Sequence, residues 1–332
     1  MLTNSQAIVD MEPGNASPLV SVVVPVYNVC RYICHFARSL FSQTYPEIQF
    51  VFVNDGTKDD SMERLRKVLQ EEFPSLEPRV TVVEQPNRGL PAARRRGLQE
   101  VRGDFVLQVD SDDWMEPDMV AVLVEEALRT GSDLVYCDYY KEKKSKTETC
   151  TEAVYPEEHR DDMFLDLIHG RNFHGYFWNK LVRTSLYDNY LVFPMYGMRE
   201  DLTVTLQLLF YAGDRISHVA RPLYHYRRTN ADAVSRMKLI RRRRESGRNM
   251  MLLFDGWRGR EGRTPLTGYE DAFLMQAAYY GVASRDYSVF KQYPYLLEYV
   301  LARPTFKPTG LRRGRQTVLN FSLWLYRRFH RT

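Results

Sequence analysis

Residues 103–117, GDFVLQVDSDDWMEP, decide how this chain folds. Phe105, Val106, Leu107 and Val109 form an apolar run behind a glycine, too short for a helix, and read as a buried strand. The polar positions Asp110, Ser111, Asp112 and Asp113 follow at once, then Trp114 and a proline able to open the next helix. Three carboxylates within four residues repel one another and lose hydration at a strand end. A cation would neutralise them, and hard carboxylate oxygens suit Mg²⁺ or Mn²⁺. The same residues also read as an acidic, solvated turn capping the following helix, so the flanking sequence has to arbitrate.

Upstream, Leu19 to Val26 (LVSVVVPV) is β-branched and almost wholly apolar, as a strand buried on both faces should be. Tyr27 and Asn28 follow, then a helical pattern with Ile33, Phe36, Ala37, Leu40 and Phe41 on one face. Ile48 to Val53 predicts a second strand running into Asn54-Asp55-Gly56-Thr57, and a helix follows with Met62, Leu65 and Leu69 inward. Arg79 to Val83 predicts a third strand, followed by QPNRGLPAARRRGL, a glycine-containing turn entering a helix. Downstream, a helix from about Pro117 to Thr130 ends at Gly131, and Asp133 to Cys137 predicts a fifth strand. Strand and helix alternate at short spacing, which predicts an α/β fold: a Rossmann-like, mainly parallel sheet flanked by helices. Ligands of such sheets sit at the carboxyl ends of the strands. Here those ends carry Pro25–Asn28, Asn54–Thr57, Asn87–Gly89 and Asp110–Asp113.

Lys141 to Thr151 (KEKKSKTETCT) reads as a polar, mobile connection. An irregular aromatic stretch follows, FHGYFWNK at 173–180, then YGMRED at 196–201. A helix from about Glu200 to Tyr211 buries Leu202, Leu206, Leu209 and Phe210, its acidic first turn matching the helix dipole. Ile216 to Tyr226 is extended, and beyond Ser235 the pattern is helical with four arginines at 241–244.

Apolar content of 44% and 27% charged residues are ordinary globular values. No run of eighteen apolar residues is present to span a membrane. The four cysteines form no CxxC pair; Cys30 and Cys34, four apart in a helical pattern, read as packed thiols, and a cytoplasmic setting is expected. The net charge of +4 conceals a division: from Arg221 onward 23 Lys+Arg face 8 Asp+Glu, a net +15, leaving −11 for the rest. A basic rear suggests an anionic surface or ligand there; a solvated helical face is the alternative.

VSVVVPVYN, FVFVNDGTKDDS, EQPNRGLPAARRRGL, GDFVLQVDSDDW and GMREDLTVTLQLL, in that order, resemble the family 2 glycosyltransferases of the GT-A fold. WNKL and PLYHYRR resemble the members that assemble bacterial polysaccharides. The resemblance covers about Val20 to Ser235. It implies residues 18–235 as the GT-A domain, with donor half 18–140 and acceptor half 151–235. A loose tail (1–17) precedes it and a basic helical C-terminal region (236–332) extends it.

The resemblance further implies a nucleotide-diphosphate-sugar donor, uridine-based in the usual case, a divalent cation (Mn²⁺ or Mg²⁺) and inversion at the anomeric carbon. Pro25, Val26, Tyr27 and Asn28 would line the nucleoside and Asp55 would hold the base. Asn87 and Gly89 would allow close backbone approach, with Arg94 toward the diphosphate. Asp110 and Ser111 would meet the donor, Asp112 would be the metal ligand, and Asp113 would share that task. Asp201 would be the base that takes the acceptor proton, and Glu200 would orient the acceptor. His225 reads as a third metal or phosphate contact, or as a packed strand residue; Trp178 and Lys180 as walls of the acceptor pocket. Two departures stand out: Arg95 replaces the family's usual Asn after Arg94, and Thr57 replaces the Ser of its DGS turn.

Leu311 to Thr332 flanks Phe321, Leu323, Trp324 and Leu325 with basic residues, which suits either the surface of an anionic leaflet or docking on the domain. The expected activity is therefore an inverting transfer of a sugar to a glycan acceptor, lipid-linked, in surface or capsular polysaccharide synthesis on the inner face of the membrane. The rivals are a sugar-nucleotide nucleotidyltransferase, whose Gly-rich basic signature PVYNVCRY lacks, and a binding module without catalysis. No groove-reading or base-stacking motif accompanies the arginine run, so nucleic acid is not an expected partner.

Overall fold

The two valine-rich runs lie side by side in a computed structural model that describes residues 17–230, 238–286 and 288–302. β1 (Val20–Val26) pairs parallel with β2 (Ile48–Asn54), Val20 opposite Ile48. β3 (Val80–Glu84) extends the sheet beyond β2, and β4 (Phe105–Gln108) lies beyond β1, both parallel. The crossovers are α1 (Ile33–Phe41), α2 (Ser61–Glu72) and α3 (Leu90–Leu98).

β1 is buried along its whole length because helices cover both faces. Val20, Val22, Val24 and Val26 pack with Ile33, Phe36, Leu40 and Leu65, whereas Val23 turns to Val53, Val106 and Ala93 of α3. α3 approaches closely at Gly97, where a Cβ would sit 2.4 Å from a methyl of Val23. α4 (Met119–Thr130) closes the first layer and ends at Gly131 in the left-handed conformation (φ 67°).

The second half of the sheet departs from the simple alternation. β5 is Trp114–Met115, β6 is Leu134–Glu142, β7 is Thr147–Cys150, β8 is Lys180–Arg183 and β9 is Ile216–Arg227. The order is β3-β2-β1-β4-β8-β6-β9-β5. The expected fifth strand, now β6, is separated from β4 by β8, which runs antiparallel to both. β6 pairs parallel with β9, and β5 closes the edge antiparallel to β9. Residues 141–151 are not a loose connection. Glu142 pairs with Thr147 and Tyr139 with Cys150, so they form the β6–β7 hairpin.

α5 (Arg160–His169), α6 (Glu200–Ala212), α7 (Leu239–Trp257), α8 (Glu270–Ala283), α9 (Ser288–Gln292) and α10 (Pro294–Leu301) complete the chain. They share one core with the second half of the sheet, including Tyr136, Leu167, Leu206, Met251, Phe273 and Leu296. The helical pattern expected beyond Ser235 is thus realised as far as residue 301. The N-terminal tail and the Leu311–Thr332 segment lie outside the described residues.

Candidate active site

A cavity of about 1750 Å³ runs along the carboxyl ends of β1, β2 and β4 and is walled opposite by the 195–199 loop, α7 and α8. Pro25, Tyr27, Asn28, Asp55, Asn87 and Gly89 line its first half. Tyr27 is exposed on the rim. Asn28 takes a positive φ of 52° and its side-chain Oδ1 accepts the Lys58 N–H at 3.0 Å, tying the loops after β1 and β2 together. Asp55 is buried. Its carboxylate accepts Gln85 Nε2 at 2.6 Å and the backbone N–H groups of Arg88 (2.8 Å) and Gly89 (2.9 Å), so it shapes the loop before α3. Gly89 needs its φ of 85° to turn that loop into the helix. Val26 does not face the cavity: strand alternation sends its side chain into the core, and only its carbonyl takes part, accepting the Asp55 N–H at 3.0 Å.

The acidic stretch that follows β4 divides its members. Asp110 and Asp112 line the cavity, as does Ser111, whose hydroxyl donates to the Pro25 carbonyl at 2.8 Å. Asp112 accepts Asn230 Nδ2 at 2.6 Å, and burial together with the charge of Asp110 pushes its pKa up to about 6. Asp113 is not placed as the expected co-ligand. It lies beneath the wall, 1% exposed, and Oδ1 accepts the Arg227 N–H at 2.6 Å. Its carboxyl is pushed well above the usual range by burial and its two neighbours, and it tethers the turn to β9. Arg227 completes the tether by donating Nε–H to the Asp112 carbonyl at 2.7 Å.

His225 is likewise placed away from the expected metal. Its two ring nitrogens lie 2.8 Å from Glu142 and 2.9 Å from Glu116, and the ring is stacked between Trp114 and Tyr140. The pairing of β5 and β6 with β9 puts these partners around it.

The second acidic pair, Glu200 and Asp201, forms the first turn of α6 and lines the same cavity. Arg199 sets them there from a left-handed φ of 56°, its guanidinium donating to the Ile168 carbonyl at 2.8 Å. One buried side chain joins the two acidic groups. Arg94 Nη2 donates to Asp110 at 2.6 Å, and Nε to Glu200 at 2.9 Å. Its Nη1 is buried without a hydrogen-bond partner among the described residues. Burial opposes the charge on Arg94, but Glu200 and Asp110 more than offset it and raise its pKa. Burial pushes Glu200 up to about 7 despite Arg94.

The 173–180 stretch supplies the side wall. His174, Tyr176 and Trp178 alternate toward the cavity and stack in series, continuing onto Tyr224. Trp178 thus reaches the wall as expected, although nearly buried. Lys180 does not. Its Nζ is buried and donates to the His174 and Tyr176 carbonyls and to Asn179 Oδ1 at 2.8–2.9 Å, holding the loop from behind. His174 and Asn230 are site residues that the sequence reading missed. Buried Glu152 receives both the backbone N–H of His174 and its Nδ1 edge. The period-two spacing of His174, Tyr176 and Trp178 was the available signal; nothing local marked Asn230.

The model for "Glycosyl transferase family 2" matches residues 21–191, just over half of the chain. The putative glycosyltransferase EpsH of Bacillus subtilis is 36% identical over 221 residues, 64% of this chain and 61% of EpsH. Glycosyltransferase GlyA of Streptococcus pneumoniae is 31% identical over 63% of this chain and 30% of its own length. The chain therefore spans less than two thirds of either relative. Among solved structures, S. aureus TarS 1–349 in complex with UDP-GlcNAc superposes with a TM-score of 0.63 at 18% identity, covering 94% of this chain and 93% of that one. The mannosyltransferase PcManGT of Pyrobaculum calidifontis, in complex with GDP-Man and Mn²⁺, gives 0.55 at 17% identity over 96% and 89%. At such identities the shared property is the fold, which is GT-A.

Proposed function

The chain belongs to glycosyl transferase family 2, and from that premise we propose that it moves a sugar, with inversion, from a nucleotide-diphosphate donor to a hydroxyl of a glycan acceptor. The observation that carries this reading is the buried Arg94 bridge, which fixes Asp110 of one acidic group and Glu200 of the other in one cavity.

In this reading the nucleoside lies over Pro25–Asn28 against Tyr27, with Asp55 and the loop it shapes beneath the base. UDP is the first candidate nucleotide, supported by the UDP-GlcNAc held by TarS. The residues at the diphosphate position suit a divalent cation: Asp110 and Asp112 present hard carboxylate oxygens in the wall. Mn²⁺ or Mg²⁺ held there would neutralise the charge that grows on the departing diphosphate. Arg94 Nη1, buried without a hydrogen-bond partner among the described residues, is a further donor in this reading. Across the cavity Asp201 takes the proton of the attacking hydroxyl, while Glu200, locked on Arg94, fixes the first turn of α6. The aromatic wall from His174 to Trp178 offers faces on which sugar rings pack.

The acceptor is a growing surface or capsular polysaccharide, lipid-linked on the cytoplasmic face, a proposal supported by the relatives' polysaccharide-synthase members such as the chondroitin synthase of Escherichia coli. No helix among the described residues is long and apolar enough to cross a membrane.

Titration calorimetry with UDP, with and without Mn²⁺, tests the donor site. Binding should require the metal, weaken by at least about tenfold in Asp112→Ala and persist in Asp201→Asn. If a different nucleotide binds, only the role of Asp55 changes. If none binds under any metal condition, the transferase reading is lost and a module without catalysis replaces it.

A further inference from the structure

Acidic and basic side chains both line the cavity. Asp110, Asp112, Glu200 and Asp201 belong to the site described above, whereas Arg171, Arg199, Arg241, Arg242 and Arg243, with Glu245, form a basic arm of its wall. These arginines come from three separate places: the turn after α5, the residue preceding α6, and the first turn of α7. A solvated helical face would not gather them, because such a face belongs to one element.

Their contacts leave the charges uncompensated. Arg241 pairs with Glu245 at 2.8 Å, but none of the other four has an ion pair among the described residues. Arg242 Nε is buried without a hydrogen-bond partner among them. Arg199 lies over the Tyr280 ring at 5.3 Å, and Arg243 lies 5.9 Å from the centre of Tyr279. Both tyrosines line the arm. Like charges gathered in a concave, partly desolvated wall repel one another, and a bound anion relieves that repulsion. Guanidinium forks match phosphate oxygens in pairs, and the tyrosine faces leave room for a carbohydrate or polyol beside them.

We infer that this arm is an anion site that receives a phosphate carried by the acceptor, so that the attacking hydroxyl belongs to a phosphorylated glycan, a polyol phosphate or a phospholipid-linked sugar. The inference rests on the transferase reading for the word acceptor, but not for the anion site itself. The donor's own phosphates are accounted for at Arg94 and Asp112, whereas the arm is built from elements of the second half of the fold.

The probe is sn-glycerol 3-phosphate, with glycerol as its uncharged counterpart, titrated into the full chain. Saturable binding of the phosphate alone is expected. It should weaken about tenfold or more in Arg171→Gln/Arg242→Gln, and in Arg243→Gln if the double variant does not fold. Arg64→Gln, on the exposed side of α2, should bind as the parent does. Vesicles of phosphatidylglycerol against phosphatidylcholine separate the sources: capture by the anionic vesicles that is lost in the double variant assigns a lipid headgroup, and binding of the soluble phosphate alone assigns a polymer or free phosphate. No saturable binding of either probe overturns the inference, as does binding or vesicle capture undiminished in the arginine variants. Parallel titration with UDP and Mn²⁺ keeps the two readings apart. If UDP fails while glycerol phosphate behaves as expected, the donor reading falls and the anion site stands.

Discussion

Arg94 shows how much of a side chain's setting lies beyond a local reading. The sequence directs it toward a diphosphate; the structure adds that it is 5% exposed and bound to Asp110 and Glu200 at once. Contacts between residues 94, 110 and 200 are set by tertiary packing, and no local pattern encodes them. The same holds for His225, whose ring nitrogens face Glu142 of β6 and Glu116, the residue after β5, across strand pairings no short motif predicts. Lys180 gives a quantitative test at this scale. Burial lowers its pKa from 10.5 to about 8, despite the attraction of Glu152. A depressed lysine pKa favours the folded state where the amine is neutral; that contribution is full above about 10.5 and is lost as the pH falls through 8. Denaturant melts of the parent and Lys180→Met at stepped pH should therefore diverge, the parent gaining about 3 kcal/mol relative to the variant between pH 7.5 and 10.5. Parallel profiles would show that the ammonium is not buried as described.

At the scale of elements, the legible parts were those whose burial imposes a run of residues. β1, β2 and β4 were readable because a strand covered on both faces must be apolar throughout, and the polar edge at their carboxyl ends marked half of the cavity. β8 was not, since four residues of mixed character, KLVR, carry no period of their own and depend on Phe105–Leu107 and Leu134–Tyr136 for partners. The β6–β7 hairpin was missed because one side of it faces solvent and its lysines and glutamates resemble a linker. α7 has a task that its arginines obscured. Asn249 is fully buried on it, donating to the Tyr196 and Met198 carbonyls at 2.6 and 2.9 Å and accepting the Met195 and Tyr196 N–H groups at 3.1 Å. The loop that delivers Arg199 and the acidic turn of α6 is thus fastened from behind. Asn249→Ala should lower the melting temperature, at a cost of about 1–3 kcal/mol for buried backbone groups left without partners. UDP binding should stay within twofold of the parent by calorimetry, while turnover, measured with a donor found by screening UDP-sugars, should fall. Unchanged turnover would release α7 from any part in placing Asp201.

For the whole molecule, the second half of the sheet and the helices after residue 238 form one hydrophobic cluster, from Leu134 and Leu167 to Phe273 and Val300. Such an arrangement should unfold as a unit. Calorimetry is expected to give a single endotherm with equal calorimetric and van't Hoff enthalpies, and a fragment ending at residue 237 should lack a cooperative transition. Two resolved transitions in the full chain would mean that α7–α10 fold separately. The broad division of charge was visible in composition, but its meaning emerged only when three distant segments met on one wall of the cavity. The shared guanidinium also governs how such enzymes can be recombined. In the proposed reading a donor half (18–140) and an acceptor half (151–235) invite exchange between relatives. Arg94 belongs to the first and Glu200 to the second, so a chimera must import them as a matched pair. A crossover that keeps one without the other buries a lone charge at the seam.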